Sequence, residues 1–152
     1  MRRKDLEIAE RAEVETIIQE ARVCRLAMCD GDRPYVVPLS FAYRNNTLYF
    51  HTAMEGKKLD ILEQNNKVCF EIDVGQELVQ RGDHAWEFAV KYRSVIGFGT
   101  ASFIDEASEK AAALDVFVEH YGVSPEEYPE ALLEVTKVIK VEIDSMTGRK
   151  SD

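Results

Sequence analysis

The sequence predicts a mainly β, α+β fold: a small barrel of about six antiparallel strands with flanking helices. Segments with alternating apolar residues recur along the chain, and turn signals such as Asp30-Gly31 separate several of them. Stretches with helical apolar spacing occur between these segments. The 152 residues, 45% of them apolar, are enough for one core that needs neither a metal nor a disulfide. We therefore expect residues 1–152 to form a single domain.

The first third of the chain is predicted to hold a helix and a three-stranded meander. Apolar residues at helical spacing from Leu6 to Ala21 place an N-terminal helix within residues 1–21. Strands are predicted at Val23–Cys29, Tyr35–Tyr43 and Thr47–His51, joined by turns at Asp30–Pro34 and Arg44–Asn46.

The middle strand of this meander has two different faces. The larger residues, which we expect in the core, are Tyr35, Val37, Leu39, Phe41 and Tyr43. The smaller residues on the other face leave room for a flat ligand, and they are Val36, Pro38, Ser40 and Ala42. Because Pro38 has no backbone N–H to donate, we expect an edge strand or a bulge there.

Helices and strands are also predicted in the rest of the chain. The segments are a helix at Lys57–Asn65, strands at Lys67–Asp73 and Tyr92–Ile104, a helix at Ser108–Tyr121 ending at Gly122, and a strand at Val138–Asp144. Gly97 and Gly99 predict a bend or a close backbone approach. Residues 74–87 are predicted as a loop, Ser124–Glu127 as a capping box that starts a short helix, and residues 145–152 as a mobile tail.

Composition excludes several classes of function. The 19 basic and 28 acidic residues give a net charge of −9, which argues against nucleic acid or an anionic membrane as the main partner. The N-terminal segment lacks the apolar core of a signal peptide, so we expect a cytoplasmic protein. The cysteines, Cys24, Cys29 and Cys69, match no zinc or redox spacing and are typical of small buried residues, so we predict no metal site.

A candidate anion site follows the third predicted strand, in the segment His51-Thr52-Ala53-Met54-Glu55-Gly56-Lys57-Lys58. Two lysines at a helix start are unfavourable beside the helix dipole unless an anion lies there. Gly56 allows close approach of the backbone, and the lysines supply charge. The alternative is that Gly-Lys-Lys is a solvated turn, and it is not a P-loop, because the Walker spacing is absent.

Each of the three histidines could have a structural explanation instead of a functional role. His51 could be a strand-end residue that hydrogen-bonds to the backbone, and His84 a loop residue without a role. His120 lies near a helix C-terminus, where positive charge suits the dipole. The sequence contains no local signature of a Ser-His-Asp or Cys-His site.

A larger pattern surrounds the candidate site. The segment "RPYVVPLSFAYRNNTLYFHTAMEGKKLDILEQNNKVCFEID", followed by "YRSVIGFGTASFI", resembles the FMN-binding split barrels related to pyridoxamine 5′-phosphate oxidase. Within that superfamily the chain is most similar to the group of 5-nitroimidazole-resistance reductases. The resemblance extends from Val23 to Asp144 and implies an FMN-binding split β-barrel.

The resemblance also implies a site and an assembly. Relatives of this kind are homodimers that bind two FMN molecules at the subunit interface. The implied cofactor-binding residues are Val37, Pro38, Leu39 and Ser40 along the flavin ring, His51 and Thr52 near its tail, Gly56, Lys57 and Lys58 at the phosphate, and Ser94 from the partner subunit. By the same resemblance, His51 is the candidate catalytic residue, because imidazole titrates near neutral pH.

The chain departs from the oxidases at its end. It closes with "IDSMTGRKSD" instead of the Trp-and-Arg segment that binds pyridoxal phosphate, so oxidation of pyridoxamine phosphate is not expected. The leading hypothesis is an FMN-dependent oxidoreductase that reduces nitroimidazoles or other small electrophiles. The alternatives are a flavin carrier or redox sensor without turnover, and a haem-binding split barrel.

Overall fold

One antiparallel sheet that coils into a split barrel dominates the computed structural model, which describes residues 4–151. The strands are β1 (Glu7–Ile8), β2 (Cys24–Asp30), β3 (Arg33–Leu39), β4 (Ala42–Arg44), β5 (Thr47–Thr52), β6 (Lys67–Gln80), β7 (Phe88–Ile104) and β8 (Lys137–Ser151). The helices are α1 (Arg11–Glu20), α2 (Lys57–Gln64), α3 (Ala107–His120) and α4 (Glu130–Glu134), with single 3-10 turns at Lys4–Leu6 and Ala85–Glu87. The mainly β fold class with flanking helices is confirmed.

The sheet order is β3-β2-β6-β7-β8-β5-β4, with β1 added to the end of β8. The predicted meander is therefore wrong, because β4 and β5 do not continue from β3. Instead β5 pairs with β8, so that Phe50 lies opposite Ile139. A pairing between segments so far apart in sequence cannot be recognised from local turn signals.

The core lies between the inner face of the sheet and the helices. Its largest fully buried side chains include Phe41, Phe50 and Phe70. Helix α1 contributes Val14, Ile17 and Ile18, and α2 contributes Leu59, Ile61 and Leu62. Each helix buries one apolar face against the sheet, as its spacing predicts. Among residues 4–151, no helix is long and apolar enough to cross a membrane.

Close backbone approach explains two glycines in β7. A Cβ atom on Gly97 would lie 2.3 Å from Cζ of Phe70, and one on Gly99 would lie 2.6 Å from the carbonyl oxygen of Glu142. The pairing of β7 with β8 shifts register between Phe98 and Gly99. The predicted bend or close approach at these glycines is confirmed.

The strands at the centre of the sheet are longer than predicted. The expected loop at residues 74–87 is wrong for residues 74–80, because β6 continues to Gln80, whereas residues 81–87 do connect β6 to β7. The two strands form a long hairpin arm. The register shifts between Val74 and Glu77, and Gly75 there has φ of 69°. A bulge thus absorbs the glycine that reads as a loop signal. Two additional short strands, β1 and β4, raise the count from about six to eight.

Both ends of the chain also differ from the predictions. The helix expected from Leu6 begins only at Arg11, because Ile8 is buried in β1 opposite Gly148. The expected mobile tail is wrong over residues 145–151, which extend β8 against β7, whereas Asp152 and residues 1–3 lie outside the described residues.

The short helix predicted at Ser124–Glu127 is also absent. Helix α4 begins at Glu130 instead. Since Pro129 biases Tyr128 towards extended backbone, a helix starting at Pro125 would have no room for one full turn.

Candidate functional site

The N-terminus of α2 is open and lacks a side-chain cap. Gly56 precedes the helix with φ of 145° and ψ of 157°, a conformation that favours glycine, and no atom lies within 4 Å of a Cβ placed there. Its carbonyl accepts from the backbone N–H of Leu59 at 2.8 Å. The first N–H groups of a helix have no partner within it, so those of Lys57 and Lys58 can serve an external acceptor.

Lys57 reaches the hairpin between β2 and β3. Its Nζ lies 3.1 Å from Oδ2 of Asp30 and 5.1 Å from the centre of the Tyr35 ring. Both Lys57 and Asp30 are about half exposed. The first turn of α2 and the start of β3 therefore meet at the surface, which local sequence patterns do not indicate.

The predicted ring-binding strand is an edge strand. In β3, Val37 and Leu39 are partly buried and alternate with the exposed Val36 and Pro38; Ser40, just after the strand, is also exposed. Pro38 lies opposite Arg25 of β2, and β3 ends the sheet on that side. The prediction of an edge strand at Pro38 is confirmed. The predicted strand breaks after Leu39, however, and Ala42 is buried in β4 rather than exposed with the small residues.

His51 and Thr52 form the end of β5. They pair with Val138 and Lys137 of β8. The imidazole of His51 packs edge-on against Phe117 of α3, with 4.4 Å between ring centres and 74° between planes. Although the residue as a whole is exposed, partial desolvation of its ring lowers the pKa of His51 below the ordinary value. Its neutral form is therefore favoured near neutral pH.

Ser94 lies apart from the other candidate residues. It sits in β7 between Asp73 of β6 and Arg149 of β8. Three strand spacings separate β7 from β3, which is about 14 Å. The fold of one chain thus does not bring Ser94 to the lysines.

Three residues near the candidate site were not predicted to belong there. Asp30 reads as a turn residue, Tyr35 as a core residue and Phe117 as part of the apolar face of α3. Each acts on a residue far away in sequence, so no local signal distinguishes it.

The cysteines behave differently from one another. Cys24 is buried, and burial raises its thiol pKa well above the usual range. Cys69 is partly buried, with its pKa raised for the same reason. Cys29 is exposed, so the expectation that all three are buried is wrong for it. Within residues 4–151, no three His, Cys, Asp or Glu side chains converge in a way that could hold a metal ion.

A cavity of the structure lies away from these residues. It measures about 540 Å³ and lies beside the C-terminal half of α2, between Leu62–Asn66 and Ala101–Phe103. Gly56, Lys57 and Lys58 instead lie on the open surface at the other end of α2. Such a surface needs a further wall before it can enclose a ligand.

A family model described as pyridoxamine 5′-phosphate oxidase matches residues 10–150. The chain belongs to this family. The match includes β2 to β8 and all the candidate residues. The suspected relationship is therefore confirmed.

Solved structures support the assignment. A candidate 5-nitroimidazole antibiotic resistance protein from Bacteroides thetaiotaomicron is 33% identical, with a TM-score of 0.84 over 97% of this chain and 90% of that one. A FAD-binding protein from Mesorhizobium loti is 25% identical, with a TM-score of 0.68 over 94% and 96% of the two chains. The flavocytochrome Anf3 from Azotobacter vinelandii is 21% identical, with a TM-score of 0.84 over 100% and 72%, and shows likeness of fold alone.

One curated relative shares a shorter segment. An uncharacterized protein of Rhizobium meliloti is 35% identical over 65 residues. The match spans 43% of this chain and 42% of that protein.

Proposed function

We propose that this protein is an FMN-binding oxidoreductase that works as a homodimer and reduces nitroimidazoles or other small electrophiles. The observation that carries the proposal is the uncapped start of α2 at Gly56, Lys57 and Lys58, where Lys57 contacts Asp30 of β2 and Tyr35 of the edge strand β3. An open glycine, free helix N–H groups and two ammonium groups fit a phosphate. The names of two relatives, a FAD-binding protein and a nitroimidazole resistance protein, support a flavin and this class of substrate.

The roles of the residues follow from their positions. Lys57, Lys58 and the first N–H groups of α2 would hold the phosphate, and Thr52 would hydrogen-bond near the flavin tail. The exposed side of β3, with Pro38 and Ser40, would lie along the ring. A bound flavin supplies the redox chemistry, and the protein orients it and admits substrate. His51 would hold or donate a proton at its imidazole.

An apolar outer sheet face supports the homodimer. Val36, Ala27, Cys69 and Phe98 form one row across β3, β2, β6 and β7, with Val36 59% and Phe98 57% exposed. Ile96 extends the face along β7, and Leu78 with Val90 continues it onto the hairpin arm. A soluble monomer rarely exposes such a continuous patch, so a second copy is its best occupant.

The same face carries the residue proposed to act across the interface. Ser94 alternates with Ile96 and Phe98 along β7, so all three point to the outer side. Beside it, Nε of Arg149 is buried and has no hydrogen-bond partner among the described residues. A buried donor of this kind favours an additional acceptor from a ligand or from a second copy.

The absorption spectrum of the purified protein is the first test. Protein reconstituted with FMN should show the two flavin bands, and an equal affinity for FAD would overturn the choice of FMN. A Soret band in protein prepared with haem, without flavin binding, would favour the haem-binding alternative.

Turnover is tested separately by stopped-flow spectroscopy. Bound flavin should be reduced by NADH or NADPH and reoxidised by a nitroimidazole. If flavin binds but neither step is faster than for free FMN, the protein is a carrier or sensor and not a reductase.

A further inference from the structure

The carboxylate of Asp30 lies beside the lysine end of the candidate site. Asp30 closes a hairpin with a two-residue loop, Gly31-Asp32, and pairs with Arg33 across it. Gly31 has φ of 64°, as such tight loops require. The turn geometry therefore holds Asp30 at the end of β2 whether or not a ligand is present.

Asp30 supplies the negative charge that Lys57 otherwise lacks. The 3.1 Å contact between Nζ of Lys57 and Oδ2 of Asp30 places an anion beside the start of α2. The Tyr35 ring, 5.1 Å from the same Nζ, restrains the ammonium group further. A cation at a helix N-terminus is unfavourable by itself, and the carboxylate offsets this cost.

We propose that Asp30 is a competing counter-charge, which a ligand phosphate must displace from Lys57. This inference rests on the proposed phosphate role of Lys57. A phosphate that binds Lys57 gains less binding free energy than it would from an unpaired lysine. The ammonium group must leave its existing partner, and Asp30 repels the new anion. Asp30 thereby weakens binding of every phosphate and makes retention depend on additional contacts, such as those along β3.

The substitution Asp30→Asn separates this role from the fold. Asparagine has the same shape and suits a tight turn, so the hairpin should persist. An exposed ion pair contributes up to about 1 kcal/mol, so freeing Lys57 should tighten FMN binding about two- to fivefold. Riboflavin, which has the same ring and no phosphate, should bind Asp30→Asn and wild type equally.

Two further variants make the test specific. Asp32→Asn removes the same charge from the same turn, but Asp32 does not pair with Lys57. The Asp32→Asn protein should therefore bind FMN with the same affinity as wild type. In a Lys57→Ala background, Asp30→Asn should lose its effect, because no ammonium group remains to be released. Affinities are measured by quenching of flavin fluorescence for the four proteins and for wild type.

The outcomes distinguish this inference from the proposed function. If wild type binds FMN and Asp30→Asn binds it equally or more weakly, Asp30 does not compete and the inference is wrong. The inference would also be wrong if Asp32→Asn gained as much affinity for FMN as Asp30→Asn does. The same holds if Asp30→Asn bound riboflavin more tightly by the same factor, or gained as much FMN affinity in the Lys57→Ala background, since each result points to another cause. If none of the proteins binds FMN or riboflavin, the proposed function fails and the inference fails with it.

Discussion

The imidazole of His51 packs edge-on against Phe117, with ring centres 4.4 Å apart, and so joins the end of β5 to α3. The contact desolvates the ring, and the pKa of His51 is lowered for that reason. The lowered pKa of His51 affects both the stability of the protein and the proposed proton transfer.

Replacing His51 should reduce the loss of stability in mild acid. Because its pKa is lower in the folded than in the unfolded chain, the unfolded chain binds more protons as the pH falls through about 6.5. The contribution of His51 to the free energy of unfolding is therefore constant above about pH 7.5 and becomes destabilising below about pH 6.5. In His51→Asn, we expect urea denaturation to show a smaller loss of stability than in wild type as the pH falls below about 6.5. His84→Asn, on the exposed arm, is the control, because it replaces a histidine that does not contact α3. If the stability of wild type and of His51→Asn depended equally on pH, the prediction would be wrong.

His51 should also shift the pH dependence of turnover. A general acid works only in its protonated form, so the rate of nitro-group reduction should rise as the pH falls through the pKa of His51. Since burial lowers this pKa, the rise should lie below about pH 6.5, the ordinary imidazole value. His51→Asn should remain yellow and lose this dependence. An unchanged pH–rate profile would rule out the acid role, and loss of flavin would make His51 a cofactor ligand instead.

Removal of both lysines should release FMN without unfolding the chain. Lys57 is half exposed, so its ion pair contributes little to folding, whereas a charge-assisted contact to phosphate is worth about 1.5–3 kcal/mol. The variant Lys57→Ala/Lys58→Ala should therefore bind FMN at least about tenfold more weakly and keep its circular dichroism spectrum. Lys140→Ala, which removes a lysine from β8, serves as the control. Unchanged FMN affinity in the double variant would disprove the phosphate site.

Negative charges introduced on the outer sheet face should both dissociate the proposed dimer and weaken flavin binding. Ile96→Glu/Phe98→Glu places two carboxylates in the centre of the proposed interface, where unpaired charges are strongly unfavourable. We expect monomers in analytical ultracentrifugation and loss of FMN. Val123→Glu changes a residue that is just as exposed, 56%, after α3 and should leave the dimer intact. A monomeric wild type that binds FMN tightly would refute the interface.

Local turn chemistry accounts for much of what could be predicted. Asp30-Gly31 forms the expected hairpin turn, and Asn45 and Asn46 adopt φ of 50° and 61° in the turn before β5. Gly122 ends α3 with φ of 76°. These residues specify their own backbone, because few other residue types tolerate such angles.

Long-range pairing accounts for most of what could not be predicted. Residues 78–90 form a hairpin arm because β6 pairs with β7 there, with Leu78 opposite Val90. Residues 145–151 look like a polar tail, yet β7 pairs with them almost to the end of the chain. Their strand structure comes from a neighbour and not from their own apolar pattern.

The residue types of the candidate site and their local setting follow from the sequence: a strand end at His51-Thr52, a glycine at position 56, and two lysines at the start of a helix. The contacts of those residues depend on the tertiary structure. It places Asp30 and Tyr35 against Lys57, Phe117 against His51, and Ser94 on another part of the sheet. The physical reason is that helix starts and turns depend on neighbouring residues, whereas charge pairing and desolvation depend on side chains that only the folded sheet brings together.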